Sequence, residues 1–174
     1  MNILIGVSGG IAAYKTPELV RRLRDKQHQV RVVMTASAQQ FITPLTLQAA
    51  SGHPVHDDLF DQRAEAAMGH IELARWADLL LIAPATASCL AKMAQGLADD
   101  LLSTLYLATT ASVAVAPAMN QQMWQHAVTQ RNVRQLCQDG VHIIGPAEGA
   151  QACGEFGPGR MVEPADIINT LDQC

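Results

Sequence analysis

The segment QACGEFGPGRM at 151–161 sets a thiol, Cys153, ahead of Gly154, Gly157, Pro158 and Gly159. Its glycine and proline content predicts neither regular helix nor regular strand. Two further side chains stand where an apolar run meets a helical stretch: His70 in GHIEL and Asn120 in PAMNQQMW. A thiol is a weak acid, an imidazole titrates near neutrality, and a primary amide holds anions through uncharged hydrogen bonds. Taken singly, each also has a plain structural role: Asn120 as a helix N-cap, His70 as a surface or capping residue, Cys153 as a buried cysteine.

The elements that must position these groups are legible in the apolar pattern. ILIGV (3–7), VRVVM (30–34), LLLIA (79–83) and VAVA (113–116) are β-rich and mostly non-alternating, as suits strands buried on both faces. A fifth strand is expected at VHIIG (141–145). Amphipathic helical stretches lie between them: AAYKTPELVRRLRDK, HIELARWA, ASCLAKMAQ with ADDLLSTLYLAT, and NQQMWQHAVTQRNVRQLCQDG, with PADIINTLDQ closing the series. Alternation of strand and helix implies an α/β fold with a doubly wound parallel sheet, a flavodoxin-like or Rossmann-like three-layer sandwich. Residues 43–69 are the least regular part and read as a lid or an interface.

In such sheets ligands bind beyond the carboxyl ends of the strands. The first strand ends in Ser8-Gly9-Gly10-Ile11, opening a helix whose unpaired N–H groups suit a phosphate. The dinucleotide fingerprint GxGxxG is absent, because Gly6-Val7-Ser8-Gly9-Gly10 has the wrong spacing. Where a nicotinamide dinucleotide site wants an acidic group, the second strand ends instead in Met34-Thr35-Ala36-Ser37. The third ends in Ala83-Pro84-Ala85-Thr86-Ala87, small residues that let a flat ring or its phosphate approach the backbone. A mononucleotide such as FMN is the economical ligand.

Composition narrows the class. The chain has 174 residues, 49% of them apolar, enough for the core of one domain spanning 1–174. A net charge of −4 with scattered Lys and Arg argues against nucleic acid as a partner. MNILIGV is too short and lacks the basic leader of a signal peptide, and no run reaches membrane-spanning length, so a cytoplasmic protein is expected. Cys89, Cys137, Cys153 and Cys174 form no CxxC pair; reduced thiols are expected, and no metal site.

Together the motifs resemble those of the flavin-dependent cysteine decarboxylases. PAMNQQMW (117–124) is similar to their PxMNxxMW motif, ACGEFGPGRM (152–161) to their substrate-recognition clamp, and GHIELARWADLLLIAPATA (69–87) to their histidine motif and following flavin loop. The resemblance runs from SGGIAAYK to GRM and is strongest to the branch acting on phosphopantothenoylcysteine, found in bacteria as the N-terminal half of a bifunctional decarboxylase/synthetase of coenzyme A biosynthesis. It implies FMN as cofactor and assembly as homotrimers, or as dodecamers built from trimers. The chain stops at Cys174 without the length of a synthetase domain, so an excised half and a stand-alone enzyme are both open.

The activity implied is a carboxy-lyase reaction giving phosphopantetheine. The flavin oxidises the substrate thiol to a thioaldehyde, whose C=S accepts the electrons released as CO2 leaves, and the resulting enethiol is re-reduced. The resemblance gives catalytic roles to His70 as base or carboxylate-orienting group, to Asn120 as carboxylate or amide holder, and to Cys153 as the acid that protonates the enethiolate. It implies cofactor contacts at Ser8, Gly9, Gly10, Ile11, Thr35, Ser37, Ala85, Thr86 and Ser103, and substrate contacts at Met119, Asn120, Ala152 and Arg160. Met119 and Met123 are expected to pack beside the flavin. A peptidyl-cysteine decarboxylase and a non-catalytic regulatory flavoprotein are the alternatives on the same scaffold.

Overall fold

Strands without polar alternation need cover on both faces, and that cover determines the architecture. The computed structural model describes residues 1–59, 69–152 and 154–173. Strands β1 (Asn2–Val7), β2 (Gln29–Met34), β3 (Leu79–Ala85), β4 (Ser112–Pro117) and β5 (His142–Ile143) form one sheet in the order β2-β1-β3-β4-β5. Every pairing in it is parallel, with Ile3 opposite Val30 on one side and Leu79 on the other.

Successive side chains of a strand point to opposite faces, so each strand feeds two cores. On one face Ile3, Ile5, Val32 and Leu81 pack with Leu19, Val20 and Leu23 of α1 (Thr16–Asp25) and Ile167 and Ile168 of α8 (Pro164–Leu171). On the other, Leu4, Leu80, Ile82 and Val115 meet Leu73 of α3 (His70–Trp76), Leu90 and Met93 of α4 (Ala87–Gln95), Leu101, Leu102 and Leu105 of α5 (Leu101–Ala108), and Leu136 of α7 (Ala127–Gln138). Each such aliphatic side chain, wholly removed from water, contributes about 1.5–3 kcal/mol. The helices start where capping side chains stand: Thr86 accepts from the Cys89 amide, and Asp100 and Ser103 form a reciprocal capping box.

The structure departs from the sequence expectations in four places. The first helical stretch opens with a 3-10 segment, Ile11–Lys15, before α1. Part of 43–69 is regular: α2 (Pro44–Ser51) begins at Thr43, which accepts from the Thr46 amide, and ends at Gly52 in the left-handed conformation; 60–68 lie outside the described residues. The helix expected over 120–140 is two, α6 (Gln121–Gln125) and α7, because His126 is extended and its Nδ1 accepts from the Val128 amide as a cap. Most consequential, 151–161 is not free of regular structure. β7 (Phe156–Arg160) pairs antiparallel with β6 (Ala147–Ala150), a hairpin whose pairing overrides the weak strand propensity of FGPGR.

Among the described residues no helix is long and apolar enough to cross a membrane, and no cluster of His, Cys, Asp and Glu is suited to a metal ion.

Candidate active site

The strand order reverses between β1 and β3, the switch point at which an open parallel sheet leaves a crevice. Ser8 closes its floor: the hydroxyl donates to the Pro84 carbonyl at 2.7 Å and accepts from the Thr86 amide at 2.9 Å, while the Ser8 amide also donates to Pro84 O. Beyond it opens a cleft of about 430 Å3, partly open to solvent, lined by Ser8, Thr35, Ser37, Thr86, Ser88 and Ser103 over Ile82, Met93 and Leu102.

The loops meet there because Gly9 has no side chain. A Cβ on Gly9 would lie 2.8 Å from the Ser37 carbonyl carbon, so only glycine lets the β1 loop lie against the β2 loop. Thr35 and Ser37 share one hydrogen bond at 3.0 Å, leaving one hydroxyl hydrogen of the pair to donate outward. Thr86 accepts from Cys89 N and keeps its own hydrogen to donate. A glycine cradle and hydroxyl donors over an apolar wall fit the phosphate and ribityl chain of the expected FMN.

Ser103 stands on the cleft wall with its hydroxyl already bonded to Asp100. Ile11 is 60% exposed, and Ala85 is wholly buried with its carbonyl accepting from Ala118 N, so both stand apart from the cleft-lining side chains. Sequence reasoning missed Lys92 and Asp100 in the same wall. Lys92 Nζ lies 2.8 Å from Asp99 and 2.9 Å from Asp100, and these bonds raise its pKa. Burial pushes the Asp100 carboxyl up, but the Ser103 amide, Lys92 and the Ser103 hydroxyl together outweigh it and hold the group below its ordinary value. The Cys89 thiol, also in the wall, is pushed up to about 12 by burial, which makes it inert packing rather than a nucleophile.

His70 opens α3. Asn2 Nδ2 donates to Trp76 O at the other end of that helix, which fixes the C-terminus of α3 at the amino edge of the sheet. The helix therefore rises toward the carboxyl edge and delivers His70, half-buried, to the side on which β4 hands over to Asn120.

Asn120 is the N-cap of α6, its Oδ1 accepting from Gln122 N at 2.8 Å, but the cap leaves its amide hydrogens for another task. Asn120 Nδ2 donates to Glu155 Oε2 at 3.0 Å, and Gln121 Nε2 donates to the same oxygen at 3.1 Å. The β6–β7 hairpin segment is pinned twice more: Met119 N donates to the Gly159 backbone carbonyl at 2.9 Å, and the Gln151 side-chain Oε1 accepts from Gln121 N at 3.0 Å. The structure thus joins PAMN to the glycine-rich segment expected to clamp substrate. Met119 packs at the edge of the core, whereas Met123 is about half exposed. Ala152 is exposed in the turn, and Arg160 pairs with Glu163 at 2.8 Å; Cys153 and Cys174 lie outside the described residues.

The Flavoprotein family pattern matches residues 1–174. The coenzyme A biosynthesis bifunctional protein CoaBC of Escherichia coli (strain K12) is 62% identical over 168 residues, 97% of this chain but 41% of that protein, so the chain spans about two fifths of its length. The structure of a cysteine-to-serine mutant of PPC decarboxylase complexed with pantothenoylaminoethenethiol is similar, with a TM-score of 0.85, 35% identity, and coverage of 99% of this chain and 96% of that one. The FMN-dependent cysteine decarboxylase SpaF gives a TM-score of 0.84, 36% identity, and coverage of 99% and 96%. With a switch-point cleft of hydroxyls and glycine, and a match running the length of the sequence, the chain belongs to the Flavoprotein family.

Proposed function

We propose that this chain is an FMN-dependent carboxy-lyase that converts phosphopantothenoylcysteine to phosphopantetheine in coenzyme A biosynthesis. The observation that carries the reading is the docking of the β6–β7 hairpin on the PAMN loop, which brings Asn120 within hydrogen-bonding distance of the segment that continues from Cys153. The 62% identity to CoaBC and the likeness to PPC decarboxylase support it. Peptidyl-cysteine decarboxylation and a purely regulatory flavoprotein are the alternatives on this scaffold, and the 62% identity to CoaBC does not favour them.

The Ser8–Gly10 loop amides and the hydroxyls of Thr35, Ser37 and Thr86 would hold the phosphate and ribityl chain of the FMN, while Ser8 and Ser103 shape the wall of the cleft. FMN held there would supply reversible two-electron hydride chemistry at the thiol-bearing carbon, with no external reductant required. Asn120 holds the substrate carboxylate through a neutral amide, which does not favour the carboxylate over the CO2 it becomes. His70 accepts the thiol proton as a base or orients the carboxylate. Cys153 gives a proton to the enethiolate carbon; a relative lacking a cysteine and carrying an enethiol ligand agrees with such a role. Met119, Ala152 and Arg160 border the substrate.

We read residues 1–174 as one cytoplasmic FMN-binding unit that assembles as homotrimers or as dodecamers of them, fused to a synthetase in the bifunctional relatives. The test is to purify the chain, record its visible spectrum and follow phosphopantothenoylcysteine by mass spectrometry without added reductant. A yellow protein that releases CO2 and forms phosphopantetheine establishes the reading; a yellow protein that leaves this substrate intact overturns it.

A further inference from the structure

One oxygen of Glu155 receives two convergent, uncharged N–H donors, from Asn120 at 3.0 Å and Gln121 at 3.1 Å. Two neutral amides converging on one anionic oxygen is the arrangement a carboxylate-binding subsite requires. Here it is filled from within the chain. Glu155 is exposed, and its backbone carbonyl accepts from Gln151 N at 2.8 Å, so the backbone at 155 is held while the side chain alone reaches across. The hairpin segment has separate anchors, Met119 N to Gly159 O and Gln121 N to Gln151 Oε1. Glu155 is therefore not needed to keep the hairpin docked, and its carboxylate is free to exchange for another.

We propose that Glu155 is a specificity-determining residue whose carboxylate stands in for that of the substrate. A ligand bearing a carboxylate displaces it from Asn120 and Gln121; a ligand without one does not. The consequence falls on the product: once CO2 has left, nothing competes for the two amides, Glu155 returns to them, and the decarboxylated molecule loses that point of attachment. This inference rests on the proposed role of Asn120 as the carboxylate-holding residue.

The test uses the flavin-loaded chain and two non-reacting probes: the S-methyl thioether of phosphopantothenoylcysteine and the same thioether lacking the carboxyl group, titrated by calorimetry. Glu155→Gln weakens the internal competitor without changing its size, and Glu155→Ala removes it. Both variants should bind the carboxylated probe tighter, by roughly three- to tenfold, since hydrogen bonds to a charged group are the ones given up on displacement. The decarboxylated probe should bind all three proteins alike. Equal or weaker binding of the carboxylated probe by the variants overturns the proposal, as does an equal gain for both probes. CO2 release by the unaltered chain, measured alongside, separates the two readings: tightening without turnover sustains the Glu155 role and removes the decarboxylase assignment, whereas turnover without tightening does the reverse.

Discussion

Lys15 and Glu163, 148 residues apart, meet at 2.8 Å, and the same ammonium donates to the Met161 carbonyl at 3.0 Å. The lysine is 5% exposed, while the glutamate is half exposed. One buried cation therefore fastens the loop after β1 to the chain just beyond β7, so the cleft and the hairpin share a support. Lys15→Met removes the charge and leaves the buried Met161 carbonyl without its donor. It should lower the unfolding free energy by roughly 1–3 kcal/mol. A urea midpoint unchanged from the parent would refute the coupling.

Acid should release two carboxylates in turn. The hydrogen bond from Lys15 holds the Glu163 carboxyl below its ordinary value, and Asp100 is lowered despite burial. A folded pKa below the unfolded one gives stability that is present above the unfolded value and lost as pH falls through the folded value. Unfolding free energy should thus hold steady down to about pH 5 and fall below about pH 4, near the unfolded carboxylate range. In Asp100→Asn the drop between neutral and acid pH should be smaller; a drop as large as the parent's means Asp100 does not supply it.

Gly159 has φ +129°, and a Cβ there would press on the Met119 carbonyl oxygen. Gly159→Ala combines left-handed strain of about 1–3 kcal/mol with that contact. The hairpin should leave the PAMN loop while the sheet stays intact. Limited proteolysis should then cut within 151–160 at least several-fold faster, with flavin content unchanged. Protection equal to the parent's counts against the docking described.

The three proposed catalytic groups give separable phenotypes. Cys153→Ser should accumulate the decarboxylated enethiol, so normal phosphopantetheine formation refutes its role as acid. His70→Asn should retain flavin and lose CO2 release by about 10²-fold or more, the usual scale for a general acid or base. Asn120→Asp should weaken substrate binding by setting two carboxylates together, and an unaltered KM contradicts that placement.

What was legible in the sequence followed from local chemistry. Runs such as LLLIA announce a strand buried on both faces, and ASCLAKMAQ between Thr86 and Gly96 carries its own cap and stop, so α4 lies where expected. The hairpin was hidden because FGPGR has poor strand propensity and is held by partners in Ala147–Ala150 and at Met119. Glu155 was hidden for the same reason, its partners lying 34 and 35 residues away. The break at His126 carries no proline or glycine; it depends on an imidazole used as a cap. That Ser8 and Ser103 spend their hydroxyls on Pro84 and Asp100 is likewise a matter of geometry, which residue type alone does not disclose.

Among the described residues that line the cleft, Lys92 is the only basic one, and its charge is answered by Asp99 and Asp100. A phosphate entering this cleft is met by hydroxyls and backbone amides instead of an ammonium in search of an anion. Attraction of that kind acts over hydrogen-bonding distance and is little screened by mobile ions, whose Debye length is about 8 Å at physiological ionic strength. Cofactor retention should therefore be nearly indifferent to salt: dialysis against molar sodium chloride should leave the bound flavin in place, where a cleft relying on a bare cation would surrender it.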